Sequence, residues 1–156
     1  MFSQYLLVFF VAMLPLIELR GAVPIAVSLG LDTTVAFMLI LVANMIPVPL
    51  IYLFSRKVLE WGLNWRWRWF RRFCNFCLVK GEKAGEKLLK KGKAGVYVAL
   101  MLFVGIPLPG TGAWTGTLAA SILKLDFRKT VMAVLAGVLM AGVIMAVGSF
   151  GVKGLF

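Results

Sequence analysis

The chain has 156 residues, of which 62% are hydrophobic and only 15% are charged, and its formal net charge is +11. Soluble domains are about half apolar, with roughly a quarter of their residues charged, so this composition excludes a soluble globular fold. It also excludes a basic disordered protein, which would be poor in apolar residues. By position, residues 1–55 carry a net charge of −1, residues 56–93 carry +9 and residues 94–156 carry +3. We predict two membrane repeats, 1–55 and 94–156, joined by a basic segment.

The first repeat begins with two apolar stretches that are each too short to cross a membrane. They flank Pro15–Pro24, which contains proline, glycine and two charges. Apolar stretches of about 10–14 residues are typical of re-entrant segments. We therefore predict a re-entrant hairpin over 2–31 that turns at this motif.

An uncharged stretch over 33–55 follows the hairpin and is long enough for a transmembrane helix. It comes directly after Asp32, a residue type that favours helix N-termini. Pro47 and Pro49, together with Asn44, predict a kink in this helix.

The basic segment, 56–93, predicts a helix that lies on the membrane surface. Over 56–78 the aromatic residues recur on one face at helical spacing and the arginines collect on the other face. Such a helix places its aromatics inward and its cations toward anionic lipid. Basic residues among aromatics can also bind nucleic acid, but the neighbouring spans favour lipid, so we expect no nucleic-acid partner. The lipid-surface candidates are Trp61, Trp65, Arg68, Trp69, Arg71 and Arg72.

Cys74 and Cys77 form the only cysteine pair, and the chain contains no histidine. A closed zinc site needs four such ligands. We therefore expect reduced thiols, no metal and no cofactor. An enzyme is the least expected class, because the chain has no carboxylate pair and no nucleophile with a neighbouring base.

The second repeat has the same order of elements. A predicted hairpin over 94–123 turns at Pro107–Gly112, and an uncharged stretch over 130–151 follows Asp126. This stretch predicts the second transmembrane helix. Its small residues recur every fourth position and predict close helix packing or dimerisation; they are Ala133, Gly137 and Ala141.

A weak internal repeat relates the two halves. Arg20–Val23 aligns with Thr111–Trp114, and Leu31-Asp32 aligns with Leu125-Asp126. One transmembrane helix per half places the second hairpin on the opposite face, which makes the repeat inverted and places a site at the repeat interface. The predicted fold is an all-α integral membrane protein: an inverted repeat of re-entrant hairpin plus transmembrane helix, with a basic amphipathic interfacial helix between the halves.

Orientation follows from the distribution of lysine and arginine. With 56–93 in the cytoplasm, 15 of the 17 basic residues lie on the cytoplasmic side. We predict a multi-pass protein of the inner or plasma membrane with both termini on the outer side.

Two charges, Glu18 and Arg20, lie in the turn of the first hairpin. Ionisable residues inside a membrane are costly and suggest function. Glu18 is the only carboxylate at membrane depth, so any proton coupling must use it, while the bidentate guanidinium of Arg20 suits a phosphate or carboxylate head group. In the alternative interpretation, the two charges pair with each other or with a backbone carbonyl and hold the turn.

The turn of the second hairpin is uncharged and rich in glycine. Its glycines allow close backbone approach, and the amides that follow Pro109 can form an anion-binding nest or a half-helix N-terminus. Thr111 and Thr115 add hydroxyls, and Trp114 adds an apolar wall with one donor. The alternative is tight hairpin packing without a ligand.

The segments ELRGAVP (Glu18–Pro24) and IPLPGTGAWTG (Ile106–Gly116) resemble the signature segments of the small multidrug export protein family, and the resemblance covers nearly the whole chain. The layout also resembles the wider DedA (VTT-domain) superfamily, which implies paired re-entrant hairpins and movement of lipids or lipid-linked phosphates. DedA-type second hairpins usually carry arginine, which Gly105–Gly116 lacks. The resemblance carries over Glu18, Arg20, Pro107, Pro109, Gly110 and Gly112. With the residues argued above, the candidate site residues are Glu18, Arg20, Gly21, Pro24, Pro107, Pro109, Gly110, Thr111, Gly112, Trp114 and Thr115.

The leading prediction is a secondary transporter or flippase for an amphipathic, anionic or lipid-linked substrate, coupled to protons through Glu18. Two spans and two half-spans are few for enclosing a pathway, so we expect a homodimer. One alternative is an exporter of cationic or lipophilic drugs, in which Glu18 binds the cation and Arg20 is structural. Another is a non-transporting membrane organiser that works through the Trp/Arg surface.

Overall fold

The computed structural model describes residues 2–15, 17–108 and 111–153, without the side chains of Leu88, Lys91, Phe150, Val152 and Lys153. All regular secondary structure in these ranges is helical, which confirms the predicted all-α class. In chain order the helices are α1 (Phe2–Met13), α2 (Glu18–Ser28), α3 (Thr33–Met45), α4 (Pro47–Gly62), α5 (Arg68–Lys91), α6 (Lys93–Gly105), α7 (Ala113–Ile122) and α8 (Phe127–Lys153).

Two helical stretches of the described chain are long and apolar enough to cross a membrane: Thr33–Gly62, made of α3 and α4, and Phe127–Ser149 within α8. At 1.5 Å per residue, their 30 and 23 residues span about 45 Å and about 34 Å, against roughly 30 Å for a hydrocarbon core. The first stretch continues past residue 55 to Gly62, because neither proline nor glycine interrupts the intervening residues.

The kink predicted in the first span takes the form of a break between α3 and α4. α3 ends at Met45 and α4 begins at Pro47, whose ring nitrogen carries no hydrogen to donate to the preceding turn. Ile46 keeps helical dihedrals (φ −58°, ψ −46°), so the two helices remain nearly continuous.

α6 and α2 pack against different halves of α8. α6 lies against the first half. A Cβ at Gly137 would be 2.6 Å from the carbonyl oxygen of Met101, and this distance is too short for a carbon–oxygen contact. α2 packs against the second half, where a Cβ at Gly142 would be 3.3 Å from the side chain of Leu19. Gly137 thus permits the close helix packing predicted from the small residues of α8, and the breaks after α1 and after α6 both lie near the middle of α8.

α2 and α7 end in the same backbone motif. Each helix is followed by a residue with positive φ, Gly30 (65°) or Lys124 (54°). The next amide then donates to the carbonyl oxygen five residues earlier, from Leu31 to Ala26 (3.2 Å) and from Leu125 to Ala120 (3.0 Å), as in a Schellman cap.

The following helix begins with equivalent contacts in both halves, which we call the Tyr–Asp joints. Asp32 Oδ1 accepts the Val35 amide at 2.9 Å, and Asp126 Oδ1 accepts the Lys129 amide at 3.0 Å. The Asp32 amide donates to the Tyr5 hydroxyl at 3.2 Å and the Asp126 amide to the Tyr97 hydroxyl at 3.0 Å. Both aspartates therefore act as the N-caps that the sequence predicts.

The basic segment does not form one continuous helix over 56–78. α4 ends at Gly62, and residues 63–67 turn the chain before α5 begins at Arg68. A Cβ at Gly62 would collide with Cys74 of α5, so the close approach of the two helices requires glycine at this position.

α5 packs closely on the C-terminal end of α7. A Cβ at Gly81 or Gly85 would collide with Ile122 or with the backbone of Leu123. Beside this contact, Glu82 binds Lys124 Nζ at 2.7 Å and Arg56 Nη2 at 2.6 Å. The hydrogen bonds from Lys124 and Arg56 hold the pKa of the Glu82 carboxyl below its ordinary value. The ion pairs thus connect α5 with α4 and with the α7–α8 connection.

Candidate functional site

The two glycine- and proline-containing motifs meet at the helix breaks near the middle of α8. The first motif forms the start of α2, and the second forms the chain between α6 and the start of α7. Hydrogen bonds join side chains of the first motif to the backbone of the second, across about 90 residues of sequence.

Glu18 lies at the N-terminus of α2 and points at the N-terminus of α7. Its side chain is 5% exposed, its Oε2 accepts the Ala113 amide at 3.2 Å and its Oε1 accepts the Trp114 amide at 3.1 Å. The first amides of a helix have no partner within the helix, and the helix dipole favours negative charge there. The carboxylate of Glu18 therefore occupies an anion site that the second hairpin provides.

Gly112 makes this contact possible. Its φ of 148° lies in a region that residues with a side chain rarely adopt, and a Cβ here would collide with the Glu18 carboxylate. Because Gly112 has no side chain, the carboxylate can reach the α7 backbone directly.

Arg20 binds the other side of the same turn. Its Nη1 donates to the carbonyl oxygen of Leu108, and its Nη2 lies 2.6 Å from Thr111 Oγ1 and 3.4 Å from the carbonyl oxygen of Ile106. The Thr111 hydroxyl is itself 2.9 Å from both of these carbonyl oxygens. The guanidinium thus lies against the carbonyl-rich end that follows α6, where the helix dipole favours a cation.

Glu18 and Arg20 form no ion pair with each other among the residues that the structure describes. Glu18 binds the positive end of α7, and Arg20 binds the carbonyl oxygens after α6. We call this arrangement the hairpin latch; it is formed by Glu18, Arg20, Thr111, Gly112, the α7 amides, and the carbonyl groups of Ile106 and Leu108. The latch matches the alternative in which Arg20 pairs with a backbone carbonyl. That carbonyl belongs to the second motif and not to the turn that contains Arg20.

The remaining candidate residues lie near the latch or outside it. The Trp114 amide is part of the latch, whereas its buried Nε1 has no hydrogen-bond partner in the described ranges. Gly21 packs against Ile17, and Pro107 lies in the turn after α6. Pro24 and Thr115 are exposed, and the Thr115 hydroxyl lies 3.4 Å from the Gly112 carbonyl oxygen. Pro109 and Gly110 lie outside the described residues.

Two participants in the latch could not be found from the residue types. The carbonyl groups of Ile106 and Leu108 receive the Arg20 guanidinium, but their side chains carry no polar atom that would mark them. The available signal was the run of prolines after Gly105, which indicates that the helix ends and leaves carbonyl groups free.

The six lipid-surface candidates are all exposed, and they lie on the end of α4, the 63–67 turn and the start of α5. Trp61 and Trp65 pack edge to face with ring centroids 4.5 Å apart, and Trp65 and Trp69 each approach Phe70. The turn at 63–67 therefore gathers the tryptophans into one cluster at the corner between two helices.

No group of three or more residues that could hold a metal ion occurs among the described residues. A protein-family model described as "Putative small multi-drug export protein" matches residues 18–144, a range that includes Glu18–Pro24, Ile106–Gly116 and all of the latch. In the comparisons with curated proteins and with solved structures, nothing matches the chain.

Proposed function

The chain belongs to the small multidrug export protein family, and from this premise we propose a secondary transporter or flippase for an amphipathic substrate with an anionic head group. The family description supports a membrane transporter in general terms. The anionic head group is inferred from one observation, the carboxylate of Glu18 bound at the N-terminus of α7.

The α7 amides are suited to any carboxylate or phosphate oxygen that reaches them. In the arrangement described above, Glu18 fills that position and Arg20 follows two residues later in the same helix. A substrate anion that displaces Glu18 can take the amides of Ala113 and Trp114, and it can draw the guanidinium away from the carbonyl oxygens of the turn. Glu18 thus acts as an internal stand-in for the substrate.

Proton coupling follows from the charge of the site. A buried charge without a partner costs several kcal/mol, so Glu18 leaves the α7 amides most readily in its protonated, neutral form. Binding one anion while Glu18 takes up one proton leaves the net charge of the latch unchanged. We therefore propose that one proton moves with each negative charge of the substrate.

The proposed pathway runs between two re-entrant hairpins in an inverted repeat, as in the DedA-like layout that the sequence resembles. Three features support this arrangement: the repeated Tyr–Asp joints, the packing of α2 and α6 on opposite halves of α8, and the helix breaks near the middle of α8. Opening the latch would separate the hairpins at that depth. A homodimer remains our prediction for the assembled transporter.

The exposed tryptophans and arginines of the basic segment are proposed to bind anionic head groups at the membrane surface. Aromatic rings at the lipid boundary and cations beside anionic lipid each favour this location. The membrane-organiser alternative assigns the main activity to this surface. It predicts that replacing Trp61, Trp65 and Trp69 by alanine produces the phenotype of cells that lack the protein, while Glu18→Gln does not.

The transporter proposal is tested with purified protein in liposomes, using Glu18→Gln and Arg20→Gln. The probes are a fluorescent phosphatidylglycerol for the anionic class and tetraphenylphosphonium for the cationic class, with an internal dye reporting pH. The matched controls are Glu86→Gln and Lys83→Gln, which change exposed residues of α5. We expect phosphatidylglycerol flux to fall about ten- to a hundredfold in the latch variants, because charged hydrogen bonds are lost. The pH change that accompanies flux should disappear in Glu18→Gln.

Two outcomes decide between the proposals. Unchanged flux in both latch variants would contradict a transport role for Glu18 and Arg20. Transport of tetraphenylphosphonium but not of phosphatidylglycerol, lost in Glu18→Gln and kept in Arg20→Gln, would instead establish the cationic-drug alternative.

A further inference from the structure

An apolar groove runs between α6 and α7, away from the latch. It encloses about 450 Å³, and its walls are apolar from one end to the other. α6 contributes Gly95, Ala99 and Phe103 after Gly92 at its start, α7 contributes Ala119, and Leu123 follows α7. A Cβ at Gly95 would have no neighbouring element within 4 Å, so the groove is open at this point.

The dimensions of the groove fit a single hydrocarbon chain. From Gly92 to Phe103 the groove follows α6 for about 16 Å, close to half of the roughly 30 Å hydrocarbon thickness and therefore to the depth of one leaflet. Over this length the groove offers about 450 Å³ of space lined by apolar side chains, which an extended hydrocarbon chain can occupy.

The end of the groove near α5 is basic. Lys93 follows the lining residue Gly92, Lys124 lies between the lining residues Leu123 and Leu125, and Lys90 lies in the last turn of α5, two residues before Gly92. All three lysines are exposed; Lys124 binds Glu82, whereas Lys90 and Lys93 form no ion pair within the described chain. The apolar groove, as long as one leaflet is deep, matches the acyl chain of a lipid. The unpaired lysines at its open end match an anionic head group.

We propose that the α6–α7 groove binds one acyl chain of an anionic glycerophospholipid, with the lipid phosphate beside Lys93. The apolar walls hold the chain without selecting its head group, and the lysines at the open end provide the preference for negative charge. This site is distinct from the latch and does not depend on the proposed transport activity.

The test is native mass spectrometry of the full-length protein in detergent, with phosphatidylglycerol or phosphatidylcholine of the same acyl chains added. We expect a phosphatidylglycerol adduct that survives delipidation and that Gly95→Leu weakens about tenfold or more, because the new side chain fills the groove. Lys93→Gln should weaken the phosphatidylglycerol adduct about fivefold and leave the phosphatidylcholine adduct unchanged.

The matched control is Gly148→Leu, the same change at a glycine of α8 whose surroundings are equally open. It should retain the adduct, and so should Glu18→Gln, which separates this site from the latch.

Leucine favours a helix more than glycine does, so Gly95→Leu should fold. Ala99→Phe fills the same groove and provides a second variant.

Three results would overturn the proposal. The first is equal retention of phosphatidylglycerol in wild type, Gly95→Leu and Ala99→Phe. The second is equal retention of phosphatidylglycerol and phosphatidylcholine by the wild type. The third is a loss of dimer in Gly95→Leu with unchanged lipid adducts, which would assign the groove to a second copy of the chain.

Discussion

Glu18 combines two unfavourable features in one residue. It has a positive φ of 50°, which costs a residue with a side chain of order 1–3 kcal/mol, and its carboxylate is almost fully buried. Both are maintained because the α7 amides bind the carboxylate and the Glu18 amide donates to the Leu14 carbonyl oxygen at 2.9 Å. A residue held in this way is suited to move when its charge changes, which is the role that we propose for it.

The role of Gly112 in the latch is tested by Gly112→Ala. The added Cβ would collide with the Glu18 carboxylate, and alanine rarely adopts a φ of 148°. We expect the free energy of unfolding to fall by about 1–3 kcal/mol, measured by thermal unfolding in detergent.

The control for this substitution is Gly148→Ala, at a helical glycine with open surroundings. It should keep or raise stability by up to about 1 kcal/mol, since alanine is the better helix former. Equal stability of Gly112→Ala and wild type would mean that the carboxylate of Glu18 does not need the space above Gly112.

Among the helices, the connections between α2 and α3 and between α7 and α8 have the same local structure. The same Schellman cap, aspartate N-cap and tyrosine hydroxyl occur in both, although Gly30 in one corresponds to Lys124 in the other. Lysine adopts the positive φ less readily than glycine, and its side chain binds Glu82 of α5. The second connection thus combines the shared backbone motif with a contact to the basic segment.

The equivalence of the joints predicts similar effects of Tyr5→Phe and Tyr97→Phe. Each change removes one hydroxyl that accepts the amide of Asp32 or Asp126, and should lower the free energy of unfolding by about 0.5–1.5 kcal/mol. Thermal unfolding of the two single variants and of the double variant measures this. Additive losses are expected because the joints are independent; a loss in only one variant would contradict structural equivalence.

Across the whole molecule, the proposed inverted repeat places the two joints on opposite sides of the membrane. In a protein with Cys74→Ala and Cys77→Ala, we expect Thr33→Cys to react with an impermeant thiol reagent from outside the cell. Arg128→Cys should react only after the cytoplasm is exposed. Both target positions are exposed in the structure. Labelling of both from the same side would contradict the inverted topology and the proposed location of the basic segment.

The features that the sequence predicted best depend on neighbours along the chain. Asp32 and Asp126 cap the helices that follow them, Pro47 interrupts the first long helix, and both long apolar stretches are helical. Each of these outcomes follows from hydrogen bonds or dihedral angles within a few residues, so local sequence contains the necessary information.

The features that the sequence left open depend on distant partners. The predicted helix over 56–78 was wrong because Gly62 allows α4 and α5 to pack against each other across a turn. The sequence located Glu18 and Arg20 but did not identify what they bind, because an amide or a carbonyl group is present at every residue and only the fold selects one.

Composition and charge therefore determined by themselves that this chain is a helical membrane protein with two apolar halves and a basic segment between them. Only the tertiary structure decided that Glu18 and Arg20 connect the two motifs instead of pairing with each other. The physical reason is that Glu18 and Arg20 each require a partner of opposite polarity, and the ends of α7 and α6 provide them only after the chain has folded.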